Sequence, residues 1–69
     1  MNAKFKIGDL VSTRTTEDVV VLVEFIGCGF RYKTQVVKVK SMYDKKHLHI
    51  GTITERFDWQ LTKIDKITL

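Results

Sequence analysis

The chain contains no proline and a single cysteine, Cys28. One cysteine excludes an intramolecular disulfide, and with it the disulfide-stapled folds of small secreted proteins. Long apolar runs are missing as well. The longest, Val19 to Val23, is far too short to cross a bilayer. Met1 to Lys6 has no apolar h-region, so a secretory signal is not expected. A cytoplasmic protein without a membrane partner is the expectation that follows. No repeat, low-complexity tract or linker interrupts the chain, which suggests one domain over residues 1–69. There is no phosphate-cradling glycine loop, nucleotide fingerprint or paired-carboxylate arrangement. Neither an enzyme nor a cofactor is expected.

Size sets a second bound. A domain of this length buries only ~60% of the surface its unfolded chain exposes. At ~0.05–0.15 kcal/mol per residue, its net stability is roughly 3–10 kcal/mol. Little scaffold is left over for a deep catalytic cleft.

What the chain does have is positive charge in one place. The net charge is +4. Residues 28–49 hold Arg31, Lys33, Lys38, Lys40, Lys45 and Lys46 against Asp44 alone, whereas the remainder holds six basic and seven acidic residues. Such a focus favours an anionic partner. A strand face kept charged for solubility is the competing explanation.

β-Branched and aromatic residues are abundant, as strands prefer. Residues 5–15 read as a first strand, with Gly8-Asp9 as a turn or bulge inside it and a polar loop from Ser12 to Thr16. Asp9 is expected to cap that turn, and Glu17 and Asp18 to keep the following loop solvated. Residues 18–26 form the strongest strand. Apolar side chains on both of its faces predict a central strand covered on both sides. Gly27-Cys28-Gly29 is a turn, since flanking glycines permit positive φ. Cys28 is expected there as an exposed, inert residue.

Residues 30–40 form the next strand, in which Phe30 and Tyr32 share one face while Val37 and Val39 take the other. A period of two cannot bring both pairs to one core. A bulge or bend near Val36 would reconcile them. Ser41 to Lys46 reads as a loop, residues 47–54 as a fourth strand, and Glu55 to Asp58 as a short turn, with 3₁₀ geometry an option. Trp59 to Ile64 reads as a fifth strand. A C-terminal helix stays open, because Phe57, Leu61 and Ile64 also fit helical spacing. Val21, Val23, Phe25, Leu48, Ile50 and Leu61 are the predicted core.

Two stretches resemble a known superfamily. Lys6-Ile7-Gly8-Asp9-Leu10-Val11 is similar to the Gly-Asp-x-Val opening of SH3-like small β-barrels. Phe57-Asp58-Trp59-Gln60-Leu61-Thr62-Lys63-Ile64 is similar to their closing turn and last strand. The resemblance covers nearly the whole chain. It implies a mostly-β fold, either a five-stranded SH3-like small barrel or a strongly bent antiparallel sheet, with the 3₁₀ option at Glu55 to Asp58 falling before the last strand. The superfamily includes nucleic-acid-binding, Tudor-like and peptide-binding modules, so it speaks to fold more than to function. No site residue is carried over from it.

Other candidates are weak. His47 and His49, at i and i+2 in a strand, share a face, but a structural zinc site wants four ligands and Cys28 is the only other soft one. No metal is expected. Phe30-Arg31-Tyr32-Lys33 interleaves aromatic and basic side chains, as single-strand binders do. In a strand the two kinds point to opposite faces, so Phe30 and Tyr32 are expected in the core, and Trp59 in the core or at a barrel rim. The sequence thus predicts a non-catalytic module that binds nucleic acid or a nucleoprotein complex through Arg31, Lys33, Lys38, Lys40, Lys45 and Lys46. The alternative is a small viral or mobile-element accessory protein that docks on a host protein and modulates it. Nothing indicates a homo-oligomer.

Overall fold

The computed structural model describes residues 2–40 and 49–67. Strands β1 (Leu10–Ser12), β2 (Thr16–Phe25), β3 (Phe30–Val39), β4 (Ile53–Phe57) and β5 (Thr62–Lys63) form one antiparallel sheet. The order is β4-β3-β2-β1-β5, so the sheet is open, with β4 and β5 at its edges. A 3₁₀ turn at Asp58–Gln60 precedes β5. The described residues contain no α-helix, so the helical option for the C-terminal segment is not realised, and no helix long and apolar enough to cross a membrane. The mostly-β expectation holds.

The valine-rich β2 is central, between β1 and β3. It joins β3 through the Ile26–Gly29 turn, closed by a 2.9 Å bond from Ile26 N to Gly29 O, with Gly27 at φ 88. The register of this hairpin breaks twice. Glu17 pairs with Lys38 but Asp18 with Val36, leaving Val37 as an extra residue on β3. Val20 pairs with Thr34 but Leu22 with Lys33, leaving Val21 extra on β2. The first break is the irregularity that the Phe30/Tyr32 and Val37/Val39 mismatch requires, and it brings Val39 opposite the fully buried Thr16. The second was not foreseen.

That second bulge rewrites the core. Phe5, Val11, Val20, Tyr32 and Leu61 form it, with Val36 also buried and Ala3, Val23 and Phe30 packed partly against it. Of the predicted core, Leu61 and Val23 belong. Phe25 is 65% exposed at the strand end and Ile50 is 71% exposed. Val21 is the bulge residue and only half-buried, and Leu48 lies outside the described residues. The outer face of β2 is not sealed either, since Leu22 is exposed there.

Three boundaries also move. The first strand shrinks to Leu10–Ser12, because Gly8 at φ 94 turns the chain and Asp9 Oδ2 accepts from Lys6 N at 3.1 Å. Phe5 is then free to fold over the core, where Tyr32 Oη accepts from Lys4 N (3.0 Å) and Phe5 N (3.3 Å) and the two rings meet edge to face. Gly51, at φ 95, turns the chain out of strand geometry, so β4 begins only at Ile53 and runs through Phe57. Trp59 sits in the 3₁₀ turn, not in a strand, and β5 keeps two residues.

Candidate functional site

The inner face of the sheet carries a buried polar chain. Thr16 Oγ1 donates to Asp18 Oδ1 at 2.6 Å, and Thr34 Oγ1 donates to Asp18 Oδ2 at 2.6 Å. Their protons are thereby committed. In the 3.3 Å contact of Thr34 with Thr54 the donor is therefore Thr54, while the single Thr13 hydroxyl proton lies between Thr16 Oγ1 at 2.9 Å and Thr16 O at 3.2 Å. Arg56 Nε donates to Thr54 Oγ1 at 3.3 Å. The Thr16, Thr34 and Thr54 hydroxyl protons all point toward Asp18, which no solvent reaches. Glu17 is nearly as well shielded. The expectation that Glu17 and Asp18 keep a loop solvated is thus overturned, because β2 starts two residues earlier than expected and, at Asp18, hydroxyls supply what water would.

Both ends of this chain surface in one cleft. Thr13, Arg14, Thr15, Arg56, Trp59 and Gln60 line a space of about 440 Å³. The lining holds two guanidinium groups and no carboxylate. Among the described residues neither Arg14 nor Arg56 forms a salt bridge. Trp59, expected in the core or at a rim, is 74% exposed. Its ring stacks on Phe57 with centroids 4.6 Å apart and planes 5° from parallel. Gln60 Oε1 accepts from Phe57 N at 2.9 Å and so holds the turn that presents Trp59.

On the other side of the Thr13–Thr15 loop lies a second hollow, of about 470 Å³, lined by Ser12, Glu17, Lys38, Lys40 and Ile64. Lys40 Nζ donates to Ser12 Oγ and, at 2.8 Å, to Thr13 O, while Lys40 N donates to Thr15 O at 2.8 Å. Lys38 pairs in register with Glu17. The loop is therefore flanked by Lys38 and Lys40 on one side and by Arg14 and Arg56 on the other.

The four of the six sequence-predicted basic residues that are described do not gather. Arg31 and Lys33 lie on the outer face of β3 among carboxylates. Arg31 Nη2 bonds Glu24 Oε2 at 2.6 Å, Nη1 lies 3.7 Å from Glu55 Oε2, and Lys33 Nζ lies 3.9 Å from Glu24 Oε1. The hydrogen bond from Arg31, then the positive charges of Arg31 and Lys33, hold the Glu24 carboxyl below its ordinary value against the opposing effect of desolvation. The same bond raises Arg31. Lys38 and Lys40 sit at the far end of β3, and Lys45 and Lys46 lie outside the described residues. His49 is exposed outside any strand, and His47 is outside the described residues.

Arg14 and Arg56 escape a reading by charge density, since each stands in a segment of near-zero net charge. A signal existed nonetheless. Arg56-Phe57-Asp58-Trp59 also alternates charge with aromatics, though with one acidic residue where Phe30 to Lys33 has two basic ones, and here the turn frees the ring that a strand would bury. No protein-family model matches the chain, and no curated protein or solved structure matches it either.

Proposed function

We propose that this protein is a non-catalytic binding module for nucleic acid, engaging the phosphate backbone around the Thr13–Thr15 loop. The observation that carries the reading is the cleft with Arg14 and Arg56 in its wall and no acidic residue to neutralise them. Lys40 extends the basic surface across the loop, in a hollow where Lys38 stands opposite Glu17. Arginine forks suit phosphate oxygens, and such contacts position a strand without reading its sequence. Arg31 and Lys33 contribute little to this surface, because Glu24 and Glu55 already balance them. The strand order and the 3₁₀ turn before β5 support an SH3-like scaffold, on which such binding is common.

The test is a salt titration of binding to random-sequence oligonucleotides. Three to four neutralised phosphates give a slope of log affinity against log salt of about −2 to −3 on single strands, at ~0.7 per contact. Arg14→Ala and Lys40→Ala should each flatten it, by about one contact, whereas Arg31→Ala/Lys33→Ala should leave it unchanged. A flat slope in the wild type, or loss confined to the Arg31/Lys33 variant, would overturn the reading in favour of a protein-docking surface or of the outer face.

A further inference from the structure

Trp59 is the largest side chain in the protein and one of the least buried. In a domain with so small a core, an unburied indole forgoes a large share of the available apolar stabilisation. Its placement explains where that surface is used. One ring face is covered by Phe57 in near-parallel contact. The turn Asp58–Gln60, pinned by Gln60, carries the ring. On one side of it lies the cationic cleft of Arg14 and Arg56, and on the other a smaller, largely apolar hollow of about 140 Å³ lined by Ile26, Cys28, Gly29, Phe30, Phe57 and Asp58. An aromatic platform between a phosphate-seeking cleft and an apolar floor is the arrangement that accepts one flat, uncharged ring attached to an anionic chain.

We infer that Trp59 stacks on an unpaired nucleobase whose neighbouring phosphate lies at Arg14 and Arg56, so that the ligand is single-stranded nucleic acid. This inference rests on the backbone-binding reading above and narrows it. Bases within a duplex are already stacked on their neighbours and present edges, not faces. A duplex can meet the arginines but not the indole. Base–aromatic stacking tolerates any sequence, because every base has a π-face. The protein is accordingly a strand-type reader, not a sequence reader.

Trp59 is the only tryptophan, so its fluorescence reports this site alone. The probes are oligothymidylate, oligouridylate, a duplex of equal length and an abasic deoxyribose-phosphate oligomer. Saturable quenching by both single strands is expected, with binding at least about fivefold tighter than to the duplex or the abasic chain, the lower end of what one stacked base contributes. Trp59→Ala should weaken single-strand binding by about five- to a hundredfold and leave the salt slope and the abasic affinity unchanged, and Trp59→Phe should recover part of the loss. Circular dichroism of Trp59→Ala checks that the exposed substitution leaves the sheet intact. Equal, salt-dependent binding of all four probes without quenching would overturn the stacking inference and leave backbone binding standing. Failure of every probe to bind at low salt would overturn both.

Discussion

Thr34 Oγ1 donates to Asp18 Oδ2 at 2.6 Å, between two residues with no solvent-accessible surface. The carboxyl takes a second bond from Thr16 on its other oxygen, so both its oxygens are satisfied by hydroxyls. Thr34→Val keeps the shape and removes one donor. It should cost ~1–3 kcal/mol, as for a buried polar group left without its partner. Asp18→Ala strands two hydroxyls and should cost more than Thr34→Val, a large fraction of the ~3–10 kcal/mol available. The double variant should cost less than the sum, since the residues share one network. Urea unfolding at neutral pH measures all three. Because Thr13 and Arg56 end the same chain of bonds, Asp18→Ala should also weaken oligonucleotide binding in protein that remains folded.

The Tyr32 hydroxyl ties the N-terminal segment to the core through Lys4 N and Phe5 N. Tyr32→Phe preserves the edge-to-face contact with Phe5 and removes only the acceptor. A loss of ~0.5–1.5 kcal/mol is expected. The amides of Lys4 and Phe5 should lose hydrogen-exchange protection, while that of Val20, bonded to Asp9 O at 2.9 Å, keeps most of its own. Equal loss of protection across the sheet would show that the hydroxyl is not a local tether.

The Glu24–Arg31 pair gives a pH signature. Its carboxyl is depressed, so the stability it contributes is present above the unfolded glutamate value of ~4.3 and is lost as pH falls through the lower folded value. NMR titration should place the Glu24 midpoint below the ordinary value, and Arg31→Ala should return it upward. The stability difference between wild type and Arg31→Ala should shrink as pH drops. The pair is partly exposed, so added salt should reduce the effect.

Cys28 lies exposed in the turn between β2 and β3. Cys28→Ser should change stability by less than ~0.5 kcal/mol, as surface substitutions do. A thiol reagent should label the folded wild type as readily as the unfolded chain. Protection of the thiol in the native state would show that it packs more firmly in the hollow beside Trp59 than its exposure indicates.

The parts of this fold legible in the sequence are those governed by period and turn chemistry. The parity conflict between Tyr32 and Val39 locates the Val37 bulge, and the two glycines around Cys28 locate the hairpin turn. The Val21 bulge left no such trace, because Val19, Val20 and Val21 look alike whichever one is extra. Phe25 and Ile50 were misplaced for related reasons: apolarity names a core candidate, but strand ends and the Gly51 turn decide whether it is covered. The cleft is a longer-range matter. Arg14 and Arg56 meet because the chain after β4 returns across the sheet to pair with β1, and a charge count along the sequence sees neither the return nor the carboxylates that silence Arg31 and Lys33.

Both extra residues fall in runs of identical neighbours, Val36-Val37 on one strand and Val19-Val20-Val21 on the other. A chain one valine shorter in either run would retain all nine cross-strand pairs of the hairpin, with the same side chains in them. What it would lose is the local kink and added twist that a bulge imposes. Deletion of Gln35, by contrast, sets Thr34 beside Val36 and turns one of two buried residues outward, unless Val37 moves into the vacated place. The hairpin thus holds two sites at which its length can change by one residue and its pairing cannot, so that a shortened homologue would differ in curvature before it differed in contacts.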